Sequence, residues 1–517
     1  MSSIAASPSV PEKWEPKGIV LVAIVLILAM GNFLAILDLT IANVLVPHIA
    51  GSLASSPSSG TWVITGYGVA EAIMVPLTGW LVERFGPVKV FVFCIVGFGI
   101  FSLLCGLATS LGMLIVFRVA LGACGGPLIP ISQTLLLKLV PERHATVALA
   151  AWALTTIIAP VLGPMLGGLI GDNFGWQWAF YFKVPLAFAI AFGAWRILTP
   201  HELPTTKAPV DYVGLVLLVV WVGALQIMLG NGQEKDWFNS DFIITLLIVT
   251  FVGFAAFVIW ESTDKEPIVN LRVYRNRAFS VSQVVIALSF GALFGSFVLV
   301  PLWLQTSMGY TATWSGFNLA FAGIASVVAA PIAAVAMTRV DHRAIVSIGL
   351  LIAAAACLMR IVYNDQMTFW QLMWPQLVMG FSMPLIVIPL MDMSVSSLPP
   401  EDTAAGAGQF NFVRTLASAL SVAAVVAYWS NSISTNSAAL AGELQHTQSL
   451  LDAAAASGMS LDKALNLLNL MVQGQSVMLA TNRTFLVVGI INLVAAGFVW
   501  IAPKPPKKAG DSMLGGH

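Results

Sequence analysis

Long apolar runs without a single charge recur along the whole chain, and they constrain its fold more than any other feature. A helix needs about 20 apolar residues to cross the hydrocarbon of a membrane. Hydrophobic residues make up 58% of the chain and charged residues 9%, whereas soluble domains carry about 25% charged residues. The charge-free runs cover residues 18–37, 90–117, 145–171, 212–233, 242–260, 278–338, 366–391 and 484–503.

These runs, divided at their Gly, Pro and charged breaks, predict fourteen membrane spans. Backbone polar groups in lipid must be satisfied within the segment itself, so we expect helices and an all-α polytopic membrane protein. The predicted spans are 19–49, 60–81, 90–109, 112–137, 145–170, 179–199, 212–231, 241–260, 278–307, 311–337, 344–362, 369–394, 403–430 and 484–502.

The distribution of Lys and Arg predicts the orientation. With the N-terminus inside, most of the 24 basic residues fall in cytoplasmic segments, so the positive-inside rule places both termini in the cytoplasm. The outer side is assigned only Lys183, Lys235, Arg360, Lys463 and Arg483. The zero net charge argues against nucleic acid as a partner.

Two short loops of mixed charge divide the chain into repeated parts. Residues 79–89 and 336–343 each follow the second helix of a predicted bundle. We therefore predict two six-helix pseudo-repeat bundles, a build typical of secondary transporters. The first bundle is 1–200, the second is 278–517, and an inserted helix pair with a cytoplasmic linker covers 201–277.

The longest predicted extramembrane piece is the periplasmic loop 431–483. Within it, 438–456 and 461–473 have helical spacing with apolar faces. A helical hairpin packing on itself and a docking surface for a periplasmic partner both fit this pattern.

Asp38 is the first charged residue inside a predicted span. A carboxylate at the centre of a span costs about 2.5–3.5 kcal/mol, so those that persist usually face a cavity and handle ions or protons. At 1.5 Å rise per residue, Asp38 lies ~31 Å from the inner interface, which also allows an interfacial charge. Arg118, ~9 Å down the fourth span from outside, reaches a similar depth and predicts an Asp38–Arg118 pair. Such a pair is either structural or a proton-operated switch.

Glu71 and Arg414 lie deeper. Glu71 is ~16 Å down the second span, near the middle of the membrane, where a carboxylate suits a proton carrier. Arg414 lies ~18 Å from the inner side along the thirteenth span. It is a candidate for balancing charge or for meeting an anionic substrate.

The fifth span holds candidate residues for conformational gating, and neutral polar residues of other spans are candidates for a substrate cavity. Gly163, Pro164, Gly167 and Gly168 permit close helix approach and a bend, which fits a tight packing seam and also a conformational hinge. Polar residues in other spans fit a substrate cavity or simple interhelical hydrogen bonds. They are Asn43, Gln133, Gln409 and Asn411. No P-loop, zinc-protease or serine-hydrolase motif occurs, so we expect neither catalytic residues nor a metal site.

Several of these motifs resemble the major facilitator superfamily, and within it the fourteen-helix drug:proton antiporters of the EmrB/QacA type. Residues 37–44 are similar to that branch's first-helix signature, and 79–89 to the superfamily's loop between helices two and three. Arg118 with Gly122 resembles the fourth-helix motif, and 159–168 the antiporter motif. Segments typical of the EmrB side of the branch are 60–65, 126–130 and 236–238.

The resemblance implies roles for individual residues. It implies proton coupling by Asp38 and Arg118. Glu71 and Arg414 stay candidates because of their depth and not because of the resemblance: Glu71 for the proton or for the choice of substrate, and Arg414 for a substrate cavity that also includes Asp38. It also implies conformational gating by the loop motif, whose residues here are Gly79, Glu83, Arg84 and Gly86.

The chain departs from the family pattern at several positions. Glu83 replaces Asp, Pro87 replaces a basic residue, and Glu71 stands where relatives have Asn. Gln177 and Lys183 differ from the usual Arg and Asn.

The resemblance further implies a proton-coupled exporter of hydrophobic compounds in the bacterial inner membrane. It would work without a cofactor, driven by the proton gradient, together with an EmrA-type periplasmic adaptor and a TolC-like outer-membrane channel. A proton symporter or metabolite transporter on the same scaffold is the alternative.

Overall fold

The computed structural model describes residues 16–55, 60, 62–202, 205, 211–264, 267–399, 402–443 and 460–503, and these contain helices but no strands. We number the helices of sixteen or more residues in chain order. They are α1 Gly18–Ser52, α2 Trp62–Phe85, α3 Pro87–Gly106, α4 Leu111–Leu139, α5 Glu142–Asn173, α6 Lys183–Leu198, α7 Tyr212–Asn231, α8 Asp241–Thr263, α9 Arg277–Thr306, α10 Ala312–Met337, α11 His342–Arg360, α12 Phe369–Val395, α13 Thr403–Glu443 and α14 Leu461–Phe498.

A helix therefore lies over each predicted span, and the all-α prediction is confirmed. Within the described residues, twelve helices are long and apolar enough to cross a membrane, and α5 makes a thirteenth if its two bent parts form one span. The helix α2, which carries Glu71, Glu83 and Arg84, is not among them. The protein is a multi-pass membrane protein.

Successive helices run in opposite directions, which gives the bundle two end faces. We call the end at which α1 begins face A and the end at which α1 finishes face B. The ends of α2 and α4 and the starts of α3 and α5 lie at face A. Asn276, before α9, donates to the carbonyl of Ser397 after α12 at 2.7 Å, so these helix ends also share face A.

The same helix pairs pack together in two parts of the chain. In the first part α1 packs on α5, α2 on α4, α3 on α4, and α6 on α1 and α3. In the second part the equivalent pairs are α9 with α13, α10 with α12, α11 with α12, and α14 with α9 and α11. Helices α1–α6 and α9–α14 thus repeat one arrangement, and α7 and α8 pack on each other outside it.

Contacts between the two repeats follow the same symmetry. Helix α5 packs along α10, and α2 packs along α13. Small residues allow this approach: a Cβ on Gly316 would lie 2.7 Å from the Cα of Met165, and one on Gly79 would lie 3.8 Å from the Cα of Ala405. The helix α7 joins the bundle through α2 and α13.

The turn between α2 and α3 depends on a glycine and a distant carboxylate. Gly86 has φ +90°, a conformation that favours glycine, and a Cβ there would lie 2.6 Å from Oε1 of Glu202. Glu202 accepts hydrogen bonds from the backbone N–H groups of Val88 (3.1 Å) and Lys89 (2.9 Å). A carboxylate at a helix N-terminus satisfies free N–H groups and complements the helix dipole.

Helices α13 and α14 correct the prediction for the loop 431–483. The sequence predicts a span that ends at residue 430, a separate helical hairpin and a span that begins at residue 484. In the structure α13 continues unbroken to Glu443, and α14 begins at Leu461. With 41 residues, α13 is ~61 Å long, about twice the hydrocarbon thickness. Arg483 of α14 donates to Asn436 of α13 at 2.8 Å and ties the two extensions together. Residues 444–459 of the predicted hairpin lie outside the described residues.

Candidate functional site

A cluster of three charged side chains lies inside the first repeat. Arg118 of α4 donates from Nη1 to Oδ2 of Asp38 on α1 at 2.5 Å. Lys183, the first residue of α6, donates from Nζ to Oδ1 of the same carboxylate. The side chains of all three residues are fully buried. We call these three residues the charged triad.

Aromatic rings and one backbone carbonyl enclose the triad. The guanidinium of Arg118 lies 4.7 Å from the Tyr67 ring and 5.6 Å from the Phe180 ring. The ammonium of Lys183 lies 4.8 Å from Phe180. Arg118 also donates from Nε to the Val63 carbonyl at 3.0 Å, while its Nη2 has no hydrogen-bond partner among the described residues. The triad is therefore held in an apolar site in which most of its hydrogen-bonding groups have a partner.

Glycines of α4 let α2 approach closely enough to close this site. A Cβ on Gly122 would lie 3.1 Å from the Cα of Tyr67, and one on Gly126 would lie 3.2 Å from the Cα of Glu71. The Tyr67 hydroxyl, in turn, donates to the carbonyl of Ala35 on α1 at 3.2 Å. These contacts hold α1, α2 and α4 together around the charges.

Lys183 is the residue that sequence reasoning missed. The positive-inside count assigned it to the outer side, but its side chain is fully buried against Asp38. Its neighbours carried the signal, because Lys183 interrupts the apolar residues 178–182 and 184–195 in the way that Asp38 interrupts its own run. The argument that singled out Asp38 would therefore have singled out Lys183.

Glu71 and Arg414 lie on the two helices that join the repeats. Glu71 of α2 is buried, and its Oε2 has no hydrogen-bond partner among the described residues. Arg414 of α13 is also buried, and its guanidinium lies 5.6 Å from the Phe290 ring. Arg414 and Arg118 are the two cations that act on Glu71 through space. A buried carboxylate of the first repeat and a buried guanidinium of the second thus interact through space without forming an ion pair.

The predicted polar residues separate into different environments. Asn411 of α13 donates to Oε1 of Gln133 on α4 at 2.8 Å, a direct bond between the repeats. Gln409 instead accepts from the Tyr274 hydroxyl at 3.3 Å. Asn43 lies in α1, but its side chain is outside the described part of the structure. The structure therefore joins Gln133 with Asn411, and it leaves Gln409 on the linker side.

A cleft of about 240 Å³ opens between the repeats toward face A. Its wall is mostly apolar, with a few polar groups. The lining residues are Gln133, Leu137, Leu149, Met391, Asp392, Val395, Ser396, Leu398 and Thr403. Asp392 lies 3.3 Å from Nε2 of His342 at this end of the bundle. Gln133 connects the cleft to the bond between the repeats.

The glycines predicted to form a hinge lie in the seam between α1 and α5. A Cβ on Gly167 would lie 2.9 Å from the carbonyl oxygen of Ile41, and Gly163 lies directly against Thr40. The Thr40 hydroxyl donates to the carbonyl of Ala159 at 3.3 Å. Next to this contact, α5 bends by 42° between Pro160 and Leu162. Pro164 is half-buried and Gly168 is buried in the same helix.

The loop motif lies at face A, beside the start of α13. Glu83 and Arg84 are exposed, and the Arg84 guanidinium lies 5.6 Å from the Trp80 ring. Glu83 lies beyond the predicted span 60–81. Desolvation raises the pKa of its carboxyl, the charge of Lys138 opposes that rise, and the charge of Asp402 adds to it.

Arg360 was assigned to the outer side with the other cations of that side, but the structure buries its side chain. Its side chain donates to Oε1 of Gln376 at 3.0 Å, and its guanidinium lies 5.2 Å from the Phe485 ring. Gln376 donates onward to Asn318 at 3.0 Å. The second repeat thus holds a buried cation among neutral groups.

Comparison with known proteins identifies the family. The model of the Major Facilitator Superfamily matches residues 28–422. The chain is 40% identical to the multidrug export protein EmrB of Escherichia coli over 97% of its length and 99% of that protein. It is 38% identical to the fatty acid resistance protein FarB of Neisseria gonorrhoeae, again over 97% and 99%.

Solved structures share the fold at low sequence identity. The human organic anion transporter MFSD10 aligns with a TM-score of 0.58 and 14% identity, over 93% of this chain and 99% of that one. A bacterial homologue of the lysosomal transporter Spinster, in an inward-facing and unoccupied conformation, gives a TM-score of 0.57 and 14% identity, over 95% and 100%. From these matches and the sequence identities above, the chain belongs to the major facilitator superfamily and, within it, to the EmrB type, so it is a membrane transporter and not an enzyme.

Proposed function

We propose that the protein is a drug:proton antiporter that exports hydrophobic and amphipathic toxic compounds by alternating access. The observation that carries the proposal is the buried charged triad of Asp38, Arg118 and Lys183. Charges so deep in a membrane protein are costly and mark ion or proton pathways. Glu71, buried and without an ion pair, is a second candidate for carrying protons in this account.

The substrates are hydrophobic small molecules. The relatives' names, multidrug export protein and fatty acid resistance protein, support this class. The apolar wall of the cleft suits such compounds, and Gln133, which is bonded to Asn411, supplies a polar contact. Arg414, beside Phe290, is suited to meet an anionic group on a substrate.

Alternating access would use the seams between helices. Movement of the two repeats would break and remake the Gln133–Asn411 bond, while the bent α5 rocks on α1 at Gly163 and Gly167. The loop motif, in which the charges of Lys138 and Asp402 act on Glu83, would stabilise one of the two end states.

The topology follows the positive-inside rule. We propose fourteen spans, with α2 also crossing the membrane because it packs along α4 and α13 inside the bundle. Face A is then cytoplasmic, face B periplasmic, and both termini lie in the cytoplasm at the bacterial inner membrane. The repeated packing of α1–α6 and α9–α14 supports the division into 1–200, 201–277 and 278–517.

We propose an EmrA-type periplasmic adaptor and a TolC-like outer-membrane channel as partners. The continuation of α13 and α14 beyond face B supplies a helical projection on the periplasmic side in this topology. The exposed residues Leu465, Leu470 and Met471 lie on that part of α14.

A reconstituted transport assay tests the function. Purified protein in vesicles is offered Nile red, a neutral hydrophobic dye, with a proton gradient of either direction. An antiporter accumulates the dye when the vesicle interior is acidic. Accumulation only with an acidic exterior would favour the symporter alternative, and no response to either gradient would contradict proton coupling.

A further inference from the structure

The charge of the triad has a consequence for the path of the proton. Both oxygens of the Asp38 carboxylate are occupied, one by Arg118 and one by Lys183. Two cations and one anion give the enclosed site a net charge of +1 when every group is ionised. Because the three side chains are fully buried, water does not screen this surplus charge.

Only one member of the triad can exchange a proton and reduce that surplus. Arginine keeps its proton in proteins, so Arg118 remains a cation. Protonation of Asp38 would leave two buried cations without an anion and raise the net charge to +2. Release of a proton from Lys183 would leave the neutral Asp38–Arg118 pair, and lysine is the cation that gives up its proton when buried.

We propose that Lys183 is the group of the triad that takes up and releases the transported proton, while Asp38 stays ionised. The inference rests on the proposed proton coupling and names the residue that performs it. In the release step, which takes place when alternating access opens the site to solvent, one Nζ–H bond of Lys183 breaks, the electron pair stays on nitrogen and the proton passes to water. The neutral amine keeps N–H groups that can still donate to Asp38.

The position of Lys183 fits this role. It begins α6 directly after the segment 174–182, which is fixed at face B. The indole N–H of Trp176 donates to Ser52 at 2.7 Å, and the Tyr181 hydroxyl donates to the Gly106 carbonyl at 2.6 Å. Of the triad members, Lys183 therefore stands closest along the chain to the face from which protons would enter.

Other titratable groups around the triad leave the charge count unchanged. Within the described residues, Asp38 is the only carboxylate in an ion pair with Arg118 or Lys183. The remaining ionisable groups that act on Arg118 come from α2 and α3. They are Tyr67, Glu71 and Cys105. Glu71 makes no ion pair with the triad, and the cation that acts on it most strongly is the buried Arg414. Counting both adds one anion and one cation, so one surplus cation remains.

A spectroscopic titration tests the proposal without any substrate. The side-chain nitrogen of isotope-labelled lysine distinguishes ammonium from amine by NMR, and the Lys183 signal is assigned by its loss in Lys183→Arg. If that variant does not fold, Lys183→Gln provides the assignment. We expect the Lys183 signal to change between the two forms across the pH range of transport, while the Asp38 carboxyl stays ionised. A permanent Lys183 ammonium, with or without protonation of Asp38, would overturn the proposal.

Transport by Lys183→Arg gives the second test. Arginine keeps the charge and the donor but cannot release the proton. We expect gradient-driven Nile red uptake to fall to the level of vesicles without protein, whereas the matched control Lys235→Arg, at an exposed position, equals the wild type. Wild-type uptake by Lys183→Arg would overturn the proposal. If the wild type itself does not take up Nile red under either gradient, the proposed function is contradicted. The NMR titration would still identify the titrating group.

Discussion

The two repeats share their helix packing but not their buried charges. Both bring the same helix pairs together, from α1 with α5 and α9 with α13 to α3 with α6 and α11 with α14. Inside the first repeat lie charges of both signs, which are Asp38, Glu71, Arg118 and Lys183. Inside the second, the buried charges among the described residues are the cations Arg360 and Arg414. The architecture is repeated, whereas among the described residues of the two repeats the buried carboxylates and the buried lysine lie in the first repeat.

The surroundings of the cations explain the difference. Arg360 donates to neutral acceptors, the Pro375 carbonyl and Gln376, and lies against an aromatic ring, so among the described residues no carboxylate pairs with it. The cations of the first repeat are both paired with the carboxylate of Asp38, so the charge of this site changes when Lys183 gains or loses its proton. If this contrast is functional, substitutions of the buried charges in the first repeat should abolish proton coupling, whereas substitutions in the second should change only stability.

The largest effect is expected for Asp38→Asn. Removing the carboxylate leaves Arg118 and Lys183 without an anion, and breaking a buried pair by removing one partner costs about 3–5 kcal/mol. We expect gradient-driven transport to be abolished and the thermal midpoint to fall. The matched control is Asp172→Asn, at an exposed position, which should equal the wild type in both assays. Full transport by Asp38→Asn would remove the triad from the mechanism.

Arg360→Met should separate stability from coupling in the second repeat. The change removes a hydrogen bond from a charged donor, worth about 1.5–3 kcal/mol, and keeps most of the side-chain volume. We expect a lower thermal midpoint but an unchanged ratio of protons to dye transported. The control Arg196→Met alters an exposed arginine and should leave the midpoint unchanged. A changed ratio in Arg360→Met would place coupling in both repeats.

Asn411→Leu should loosen the contact between the repeats. Loss of the Gln133 bond costs about 1 kcal/mol, which corresponds to a shift of about fivefold between open and closed cleft. A cysteine placed at Leu137, in the cleft wall, should react faster with a maleimide in this variant. Asn492→Leu is the control, because the amide of Asn492 donates within its own helix at 3.1 Å. Equal labelling rates with and without Asn411→Leu would show that the Gln133–Asn411 bond does not keep the cleft closed.

Glu83→Gln is expected to have the smallest effect. The pKa of Glu83 is raised, so the carboxyl favours folding in its protonated form and this contribution is lost as the pH rises through that pKa. The variant should therefore be slightly more stable than the wild type at neutral pH and equal to it at acidic pH. Thermal unfolding over a pH series measures this difference. A variant less stable at neutral pH would mean that the ionised Glu83 is stabilising.

Much of this molecule could be predicted from sequence, for reasons that the structure makes plain. Apolar runs determine helices in lipid. The rise per residue places Asp38 and Arg118 at similar depths in their helices, which predicts the ion pair that the structure contains. Lys183 was missed because a count of basic residues by segment ignores whether a lysine interrupts an apolar run. The extension of α13 was missed because polar residues after 430 were interpreted as a loop, although Asn436 is paired with α14. Pairing across repeats, as between Gln133 and Asn411, depends on tertiary packing that local patterns do not contain.

Proton flux during dye transport tests the central claim most directly. Vesicles loaded with a pH-sensitive dye report protons moving against Nile red in the wild type, Asp38→Asn and Arg360→Met. We predict coupled proton movement in the wild type and in Arg360→Met, and none in Asp38→Asn. Coupled flux that survives in Asp38→Asn but disappears in Arg360→Met would contradict the assignment of coupling to the first repeat.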